Sequence, residues 1–152
     1  LFVEEGQVGK IHFNDAWHAV AARLLGLPVE TTYDTNFIGN VICWRRQNAL
    51  TLQKKLSEVA RRAWPLAVAP QSVFSEYILY GLYVRRLLGE QSGHYPDGVD
   101  RTLTHWEERP LDAAGLAELM AKLQPFHHSV MVSAKSRTPV QEIRKAFVSH
   151  LK

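Results

Sequence analysis

The amino-acid sequence predicts a mixed α/β protein that is rich in helices and has a few short strands. Three observations indicate this class. Apolar residues recur at helical spacing in several segments, and short apolar runs such as residues 129–133 lie between these segments. Residues that typically begin or end helices mark the boundaries between the helical segments and the short runs. This alternation is typical of α/β proteins. A chain of 152 residues can form one domain with a core, and we expect a single domain over residues 1–152.

Composition and charge narrow the classes of function. The net charge of +3 comes from short, scattered basic pairs, so no long basic stripe indicates a nucleic-acid partner. No apolar run in these 152 residues is long enough to span a bilayer, and no signal-peptide pattern appears in them; a preceding N-terminal part could hold any targeting signal. The single cysteine, Cys43, cannot form an internal disulfide, and its apolar neighbours predict a small buried side chain. The chain opens at Leu1, so we expect it to be cut from a longer protein.

The first half of the chain predicts a strand or hairpin, two helices and a buried strand. Residues 1–13 favour the hairpin, and Asn14 can cap a helix that runs to Leu25 and is closed by Gly26. Residues 37–44 look like a loop that enters a short buried strand. Asn48 can cap the next helix, over about residues 49–63.

The second half predicts three helices and two strands. A helix begins near residue 76 and ends before Gly89, and residues 103–106 and 129–133 favour strands. Asp112 can cap a helix to about residue 123. The closing helix begins at residues 138–141 with the pattern of a capping box and a proline at its first position.

The most informative stretch is residues 74–81, where Glu76 stands in a run that is otherwise aromatic and apolar. Such a run predicts a buried helix, and Ser72 or Ser75 can cap it. A buried carboxylate needs a partner or a shifted pKa, and one at a helix start suits a general base. The alternative is a structural glutamate that caps the helix or pairs with an arginine.

Aromatic and amide side chains near this stretch are candidates for binding a sugar. Tyr80 lies four residues after Glu76, on the same helix face, and can orient the carboxylate, stack on a sugar or simply pack in the core. Gly39 permits close backbone approach, and Asn40 offers a donor and an acceptor. Trp44 can support a sugar ring or pack in the core.

Two further candidates lie towards the end of the chain. His105, at a predicted strand end, can ligate a metal through one ring nitrogen or act as a hydrogen-bonded structural residue. Residues 133–139 join a strand to a capped helix and include Lys135 and Ser136. Free backbone N–H groups at a helix start attract anions, so this turn is a candidate diphosphate contact. The alternative is a well-capped helix with solvated cations.

The order of these motifs resembles the C-terminal half of an uncharacterised bacterial family. That family is related to the nucleotide-diphospho-sugar transferases, the GT-A type glycosyltransferases. The motifs that carry the resemblance are FIGNVICWRR, FSEYILYG, LTHWE and SAKSRTPVQEIR. The second is the most specific, and the resemblance extends from about Leu1 to Phe147.

The resemblance implies the C-terminal part of a GT-A-like, Rossmann-like fold that shapes the acceptor pocket. It implies that Glu76 deprotonates the acceptor hydroxyl and that His105 completes a metal shell. It also implies that an acceptor pocket is lined by Gly39, Asn40 and Trp44. It implies further that Lys135 contacts the diphosphate.

Function follows from the resemblance as an expectation. The full-length protein would transfer a sugar from a nucleotide diphosphate to the hydroxyl of a glycan or other acceptor, with Mn²⁺ or Mg²⁺. It would act in the cytoplasm, either free or, as the alternative, at the inner membrane face. No Asp-x-Asp motif occurs in these 152 residues, so we expect this chain to be inactive alone. The alternative is a non-catalytic module that binds a glycan or protein, or an inactive fragment.

Overall fold

A computed structural model describes residues 4–5, 13–31, 33, 35–39, 42–95 and 97–150. The chain divides into two compact units, Leu1–Val99 and Asp100–Lys152. Both are mixed α/β and helix-rich with short strands, as the sequence predicts. The single domain over residues 1–152 stays a prediction. No helix in the described ranges combines the length and the apolar character that crossing a membrane requires.

The first unit is mainly helical. The elements are β1 (Glu4–Glu5), α1 (Phe13–Leu25), β2 (Thr35–Asn36), α2 (Arg46–Ala60), α3 (Trp64–Val68) and α4 (Glu76–Leu82). Helix α1 packs against α4 and α2, and the two short strands β1 and β2 pair antiparallel.

Helix α1 confirms its predicted end, but it begins at Phe13, so the expectation that Asn14 caps it is wrong. It ends at Leu25, and Gly26 follows with a φ of 70°, the left-handed conformation that closes many helices. Its buried residues Ala21 and Leu25 join the core together with Leu56 and Ile78. The apolar spacing was a reliable signal here because one face of this helix is buried and the other is exposed.

Helix α2 begins three residues before the predicted start. Asn48 was expected to cap it, and this expectation is wrong, because Asn48 lies inside the helix and is buried. Its Nδ2 donates a hydrogen bond of 2.9 Å to the carbonyl of Ser92. A partner distant in sequence therefore decides the role of this asparagine.

The helix predicted to run from residue 76 to about residue 88 changes its geometry midway. Helix α4 ends at Leu82, a π-helical segment covers Tyr83–Leu88, and a 3₁₀ turn follows over Gly89–Ser92. Gly89 has a φ of 53°, which favours glycine, and the π-helical segment ends just before it, where the sequence predicted the end of the helix.

The strand expected in residues 37–44 is wrong for the residues that the structure describes. Residues 37–39 and 42–45 are irregular, and the strand is instead Thr35–Asn36. Cys43 is exposed rather than buried. The hairpin expected in residues 1–13 lies outside the described residues except for the strand Glu4–Glu5.

The second unit confirms both predicted strands. Strands β3 (Thr102–His105) and β4 (Ser129–Val132) pair in parallel, and α5 (Ala113–Ala121) connects them. A parallel pair requires such a crossover, so the unit is a βαβ arrangement. The Asp112 carboxylate caps α5 by accepting a hydrogen bond of 2.8 Å from the Gly115 N–H.

The last helix, α6 (Val140–His150), packs against α5 but lacks the predicted capping box. The Thr138 hydroxyl accepts a hydrogen bond of 3.0 Å from the Leu111 N–H and lies 2.8 Å from the Ser136 hydroxyl. Pro139 precedes the helix instead of opening it. The threonine is buried and used for tertiary bonding, so it is not used as the cap.

Candidate functional site

Glu76 is the first residue of α4, and its side chain is exposed. The Ser75 hydroxyl caps the helix and accepts a hydrogen bond of 3.4 Å from the Ile78 N–H, which confirms one of the two predicted caps. The expected burial of Glu76 is wrong. Side chains of a helix point back towards its N-terminus, so the first residue projects past the packed flank of the helix. The base role of Glu76 stays a prediction.

Tyr80 lies one turn further along α4 and is only 1% exposed. Its hydroxyl accepts a hydrogen bond of 3.0 Å from the Arg45 N–H and lies 2.7 Å from Nε2 of His94. A buried tyrosine hydroxyl normally finds such partners. Of the alternatives left open for Tyr80, this geometry fits the core tyrosine, because both the ring and the hydroxyl are already in use.

Trp44 lies on Tyr80 and remains 47% exposed. The two ring centroids are 5.1 Å apart and the planes differ by 15°, which is a stacked arrangement. Tyr77 approaches the Trp44 ring edge-on, with centroids 6.5 Å apart. Two aromatic residues of α4 thus hold the indole at the surface, and we call Trp44, Tyr77 and Tyr80 the aromatic platform.

His94, which the sequence analysis did not identify, contacts Tyr80 of the aromatic platform. His94 lies edge-on to Tyr80, and its pKa is lowered, first by burial and also by the nearby charge of Arg45. A neutral ring can accept the Tyr80 O–H proton at Nε2 while the Tyr80 oxygen accepts from the Arg45 N–H. No pattern in the sequence identified His94, because it lies in a polar loop.

Arg45 and Asn48 fix the segment before His94. Nη1 of Arg45 donates to the carbonyl of Ser92 at 3.0 Å, and Asn48 donates to the same oxygen. The Ser92 hydroxyl accepts from the His94 N–H at 3.1 Å. These bonds connect Arg45, which follows Trp44 in the chain, with α2 and the 3₁₀ turn. The position of Trp44 therefore depends on polar contacts as well as on stacking.

The two remaining predicted site residues of the first unit are Gly39 and Asn40. Gly39 is partly buried in the irregular segment after β2. Asn40 lies outside the described residues, and its role stays a prediction. Phe37 of this segment packs into the core and lies against Gly81 of α4.

In the second unit, His105 ends β3 and lines a cavity of about 460 Å³. Its Nε2 lies 3.2 Å from the carbonyl oxygen of Arg109, which favours a donated hydrogen bond. Glu107, Asp112 and Glu118 also line the cavity. However, no group of three His, Cys, Asp or Glu side chains in the described ranges could hold a metal ion. These side chains alone do not fit the expected metal, and the metal stays a prediction.

The Lys135–Ser136 turn lies beside the end of β3. The Ser133 N–H donates a hydrogen bond of 2.9 Å to the His105 carbonyl, so the structure brings this turn and His105 together. Lys135 is exposed, as an anion contact requires. Ser136 is 0% exposed and its hydroxyl is bonded to Thr138, so its side chain stabilises the turn.

The predicted site residues fall into two groups. Glu76, Trp44, Tyr80 and Gly39 belong to the first unit, and the second unit contains His105, Lys135 and Ser136. The convergence of the two groups on one cleft stays a prediction. Comparison of the chain with protein-family models, with curated proteins and with solved structures gave no match.

Proposed function

We propose that this chain forms the acceptor side of a GT-A-like glycosyltransferase that transfers a sugar from a nucleotide diphosphate to a hydroxyl group. The observation that carries the proposal is the aromatic platform with an exposed carboxylate on the same helix. Glu76 opens α4, and Tyr77 and Tyr80 on that helix hold the half-exposed Trp44. The sequence resemblance supplies the class of reaction.

The platform suits a sugar acceptor for a physical reason. A large aromatic face that is fixed in place loses little conformational entropy when a ligand covers it. Trp44 is fixed by the stacked ring of Tyr80, and Tyr80 is fixed by its bonds to Arg45 and His94. The C–H face of a pyranose would therefore meet a preorganised apolar surface.

Glu76 suits the proton-transfer step. It is the first residue of α4, and its exposure leaves the carboxylate open to an incoming hydroxyl. In an inverting reaction this carboxylate takes the acceptor proton as the hydroxyl oxygen attacks the sugar. In a retaining reaction it orients the acceptor instead.

The platform also supports a second function, namely binding a glycan without transfer. Stacking of a sugar on Trp44 needs neither a metal nor a base. Glycan binding without transfer differs from the transferase reaction because it would not require Glu76. The carboxylate would then only border the binding surface.

The test is Glu76→Gln in the intact protein, with Glu90→Gln as the control because Glu90 is also exposed and also lies in the first unit. We expect transfer to fall about 100-fold or more in Glu76→Gln, since general bases contribute at least that much, while donor binding and folding persist. Full transfer activity in Glu76→Gln would refute the base role. Glycan binding that requires Trp44, without transfer by the wild type, would establish the second function.

A further inference from the structure

Two neighbouring arginines on the π-helical segment line one cavity of the first unit. The segment Tyr83–Leu88 carries Arg85 and Arg86, and both border a cavity of about 80 Å³. Single stretches of π-helix occur frequently at functional sites. This cavity is lined by none of the platform residues, so it is a different place from the proposed acceptor site.

The small cavity has a polar, positively charged lining. Nη1 of Arg85 donates a hydrogen bond of 2.5 Å to the Thr35 hydroxyl. Thr35, His18 and Phe37 are buried, whereas the two arginines are exposed. Thus the cavity has a buried floor and a cationic rim, and its volume suits a small oxyanion group rather than a whole metabolite.

A larger cavity of about 280 Å³ adjoins it. The two share Tyr33, Leu82 and Arg86 as lining residues. The further lining of the larger cavity is mainly apolar and includes Ala22, Leu27 and Pro28. A polar cavity beside an apolar one matches a ligand with one charged end and a short hydrocarbon body.

The charges of the lining indicate the charge of the ligand. Glu30 borders the larger cavity and forms an ion pair of 2.5 Å with Nη2 of Arg86. Among the lining residues that the structure describes, two arginines and one glutamate leave an excess of one positive charge, which one negative charge balances. A carboxylate carries that single charge, and it matches the planar guanidinium of Arg85 in shape. A phosphate monoester carries nearly twice the charge and fits this balance less well.

We propose that the two cavities form a binding site for a monocarboxylate with a short alkyl chain. The carboxylate is held at Arg85 in the small cavity. The alkyl chain lies along Ala22, Leu27 and Pro28 in the larger one. This proposal is independent of the glycosyltransferase function.

The test is a titration of the chain by calorimetry and by NMR with acetate, butanoate, hexanoate, octanoate and inorganic phosphate. We expect affinity to rise from acetate to octanoate by about fourfold per buried methylene group, until the larger cavity is filled. We expect Arg85→Gln to weaken octanoate binding about tenfold or more, because a charge-assisted hydrogen bond is lost. Arg62→Gln removes an exposed arginine elsewhere in the unit and should leave binding unchanged.

A second variant keeps the test valid if Arg85→Gln disturbs the fold. Glu30→Gln removes the carboxylate that competes for Arg86, so it should strengthen octanoate binding several-fold. The proposal is overturned if no carboxylate binds, if Arg85→Gln folds and binds like Arg62→Gln, or if Glu30→Gln weakens binding. It is also overturned if phosphate binds through Arg85 and the carboxylates show no dependence on chain length.

Discussion

The ring of Phe37 packs directly against the backbone of Gly81 in α4. A Cβ atom at position 81 would lie 2.7 Å from the Phe37 Cβ and would overlap the ring itself. Because Phe37 and Gly81 are both buried, neither can move into solvent to relieve the overlap. This contact sets how closely the segment after β2 approaches the helix that carries Glu76 and Tyr80.

We predict that Gly81→Ala destabilises the protein. Overpacking of a core costs about 1–3 kcal/mol, and the better helix propensity of alanine returns about 1 kcal/mol. Because the added Cβ would overlap the Phe37 ring, the cost should lie at the upper end of that range. The expected net loss in the free energy of unfolding is therefore about 2 kcal/mol, measured by urea denaturation. Gly98→Ala is the control, because a Cβ there meets nothing within 4 Å. Equal stability of the two variants would show that Phe37 adapts without cost.

The second prediction concerns Gly93, which has a φ of 62° and lies against the guanidinium of Arg45. Alanine at this position meets left-handed backbone strain, and it displaces the Arg45 guanidinium from its hydrogen bond to the Ser92 carbonyl. We expect Gly93→Ala to lower the free energy of unfolding by about 2 kcal/mol, from the strain and the lost hydrogen bond together.

A double-mutant cycle separates the two causes. In an Arg45→Ala background there is no guanidinium to displace, so Gly93→Ala should cost only the strain of about 1 kcal/mol. Additive costs in the cycle would contradict the contact between Arg45 and position 93. The background variant also removes the Arg45–Ser92 hydrogen bond, which is the reason for measuring all four proteins.

The third prediction concerns the pH dependence that His94 confers. Burial lowers its pKa in the folded protein below the ordinary value of 6.5, and the charge of Arg45 acts in the same direction. The unfolded chain therefore binds a proton at a pH where the folded protein does not. This contribution to stability is present above pH 6.5 and is lost as the pH falls through the folded-state pKa.

The measurement is the free energy of unfolding from pH 7.5 down to pH 5 in the wild type and in His94→Gln. We expect the wild type to lose stability on acidification more steeply than His94→Gln. His128→Gln is the control, since His128 is exposed. Parallel curves for the wild type and His94→Gln would contradict the account.

The sequence predicted the fold elements well wherever one local signal decided the outcome. Gly26 ends α1, Ser75 and Asp112 cap their helices, and strands β3 and β4 lie where apolar runs indicated them. Capping and periodicity depend on neighbours along the chain, so they can be read without the tertiary structure.

Where a distant residue competed for a side chain, the prediction was wrong. Asn48 bonds Ser92 and Thr138 bonds Leu111, so neither caps its helix as the pattern indicated. Cys43 is exposed although its neighbours in sequence are apolar. These outcomes depend on packing between segments, which hydrophobic pattern alone does not specify.

The candidate site was predicted in part. Trp44 was identified as a residue that either supports a ligand or packs in the core, and the structure shows it half-exposed on Tyr80. Glu76 was placed at the correct helix start but with the wrong burial. His94 was not found, because a histidine in a polar loop carries no spacing signal, and only the folded chain brings it to the Tyr80 hydroxyl.

The most direct test of the central claim is a titration of the chain with neutral oligosaccharides, followed by NMR of the backbone amides and the tryptophan indoles. We predict that shifts concentrate at Trp44, Tyr77 and Glu76. Trp44→Ala should abolish them, and Trp106→Ala, which removes an exposed tryptophan of the second unit, should not. Binding that survives Trp44→Ala, or shifts that leave the platform unchanged, would contradict an acceptor surface at this helix.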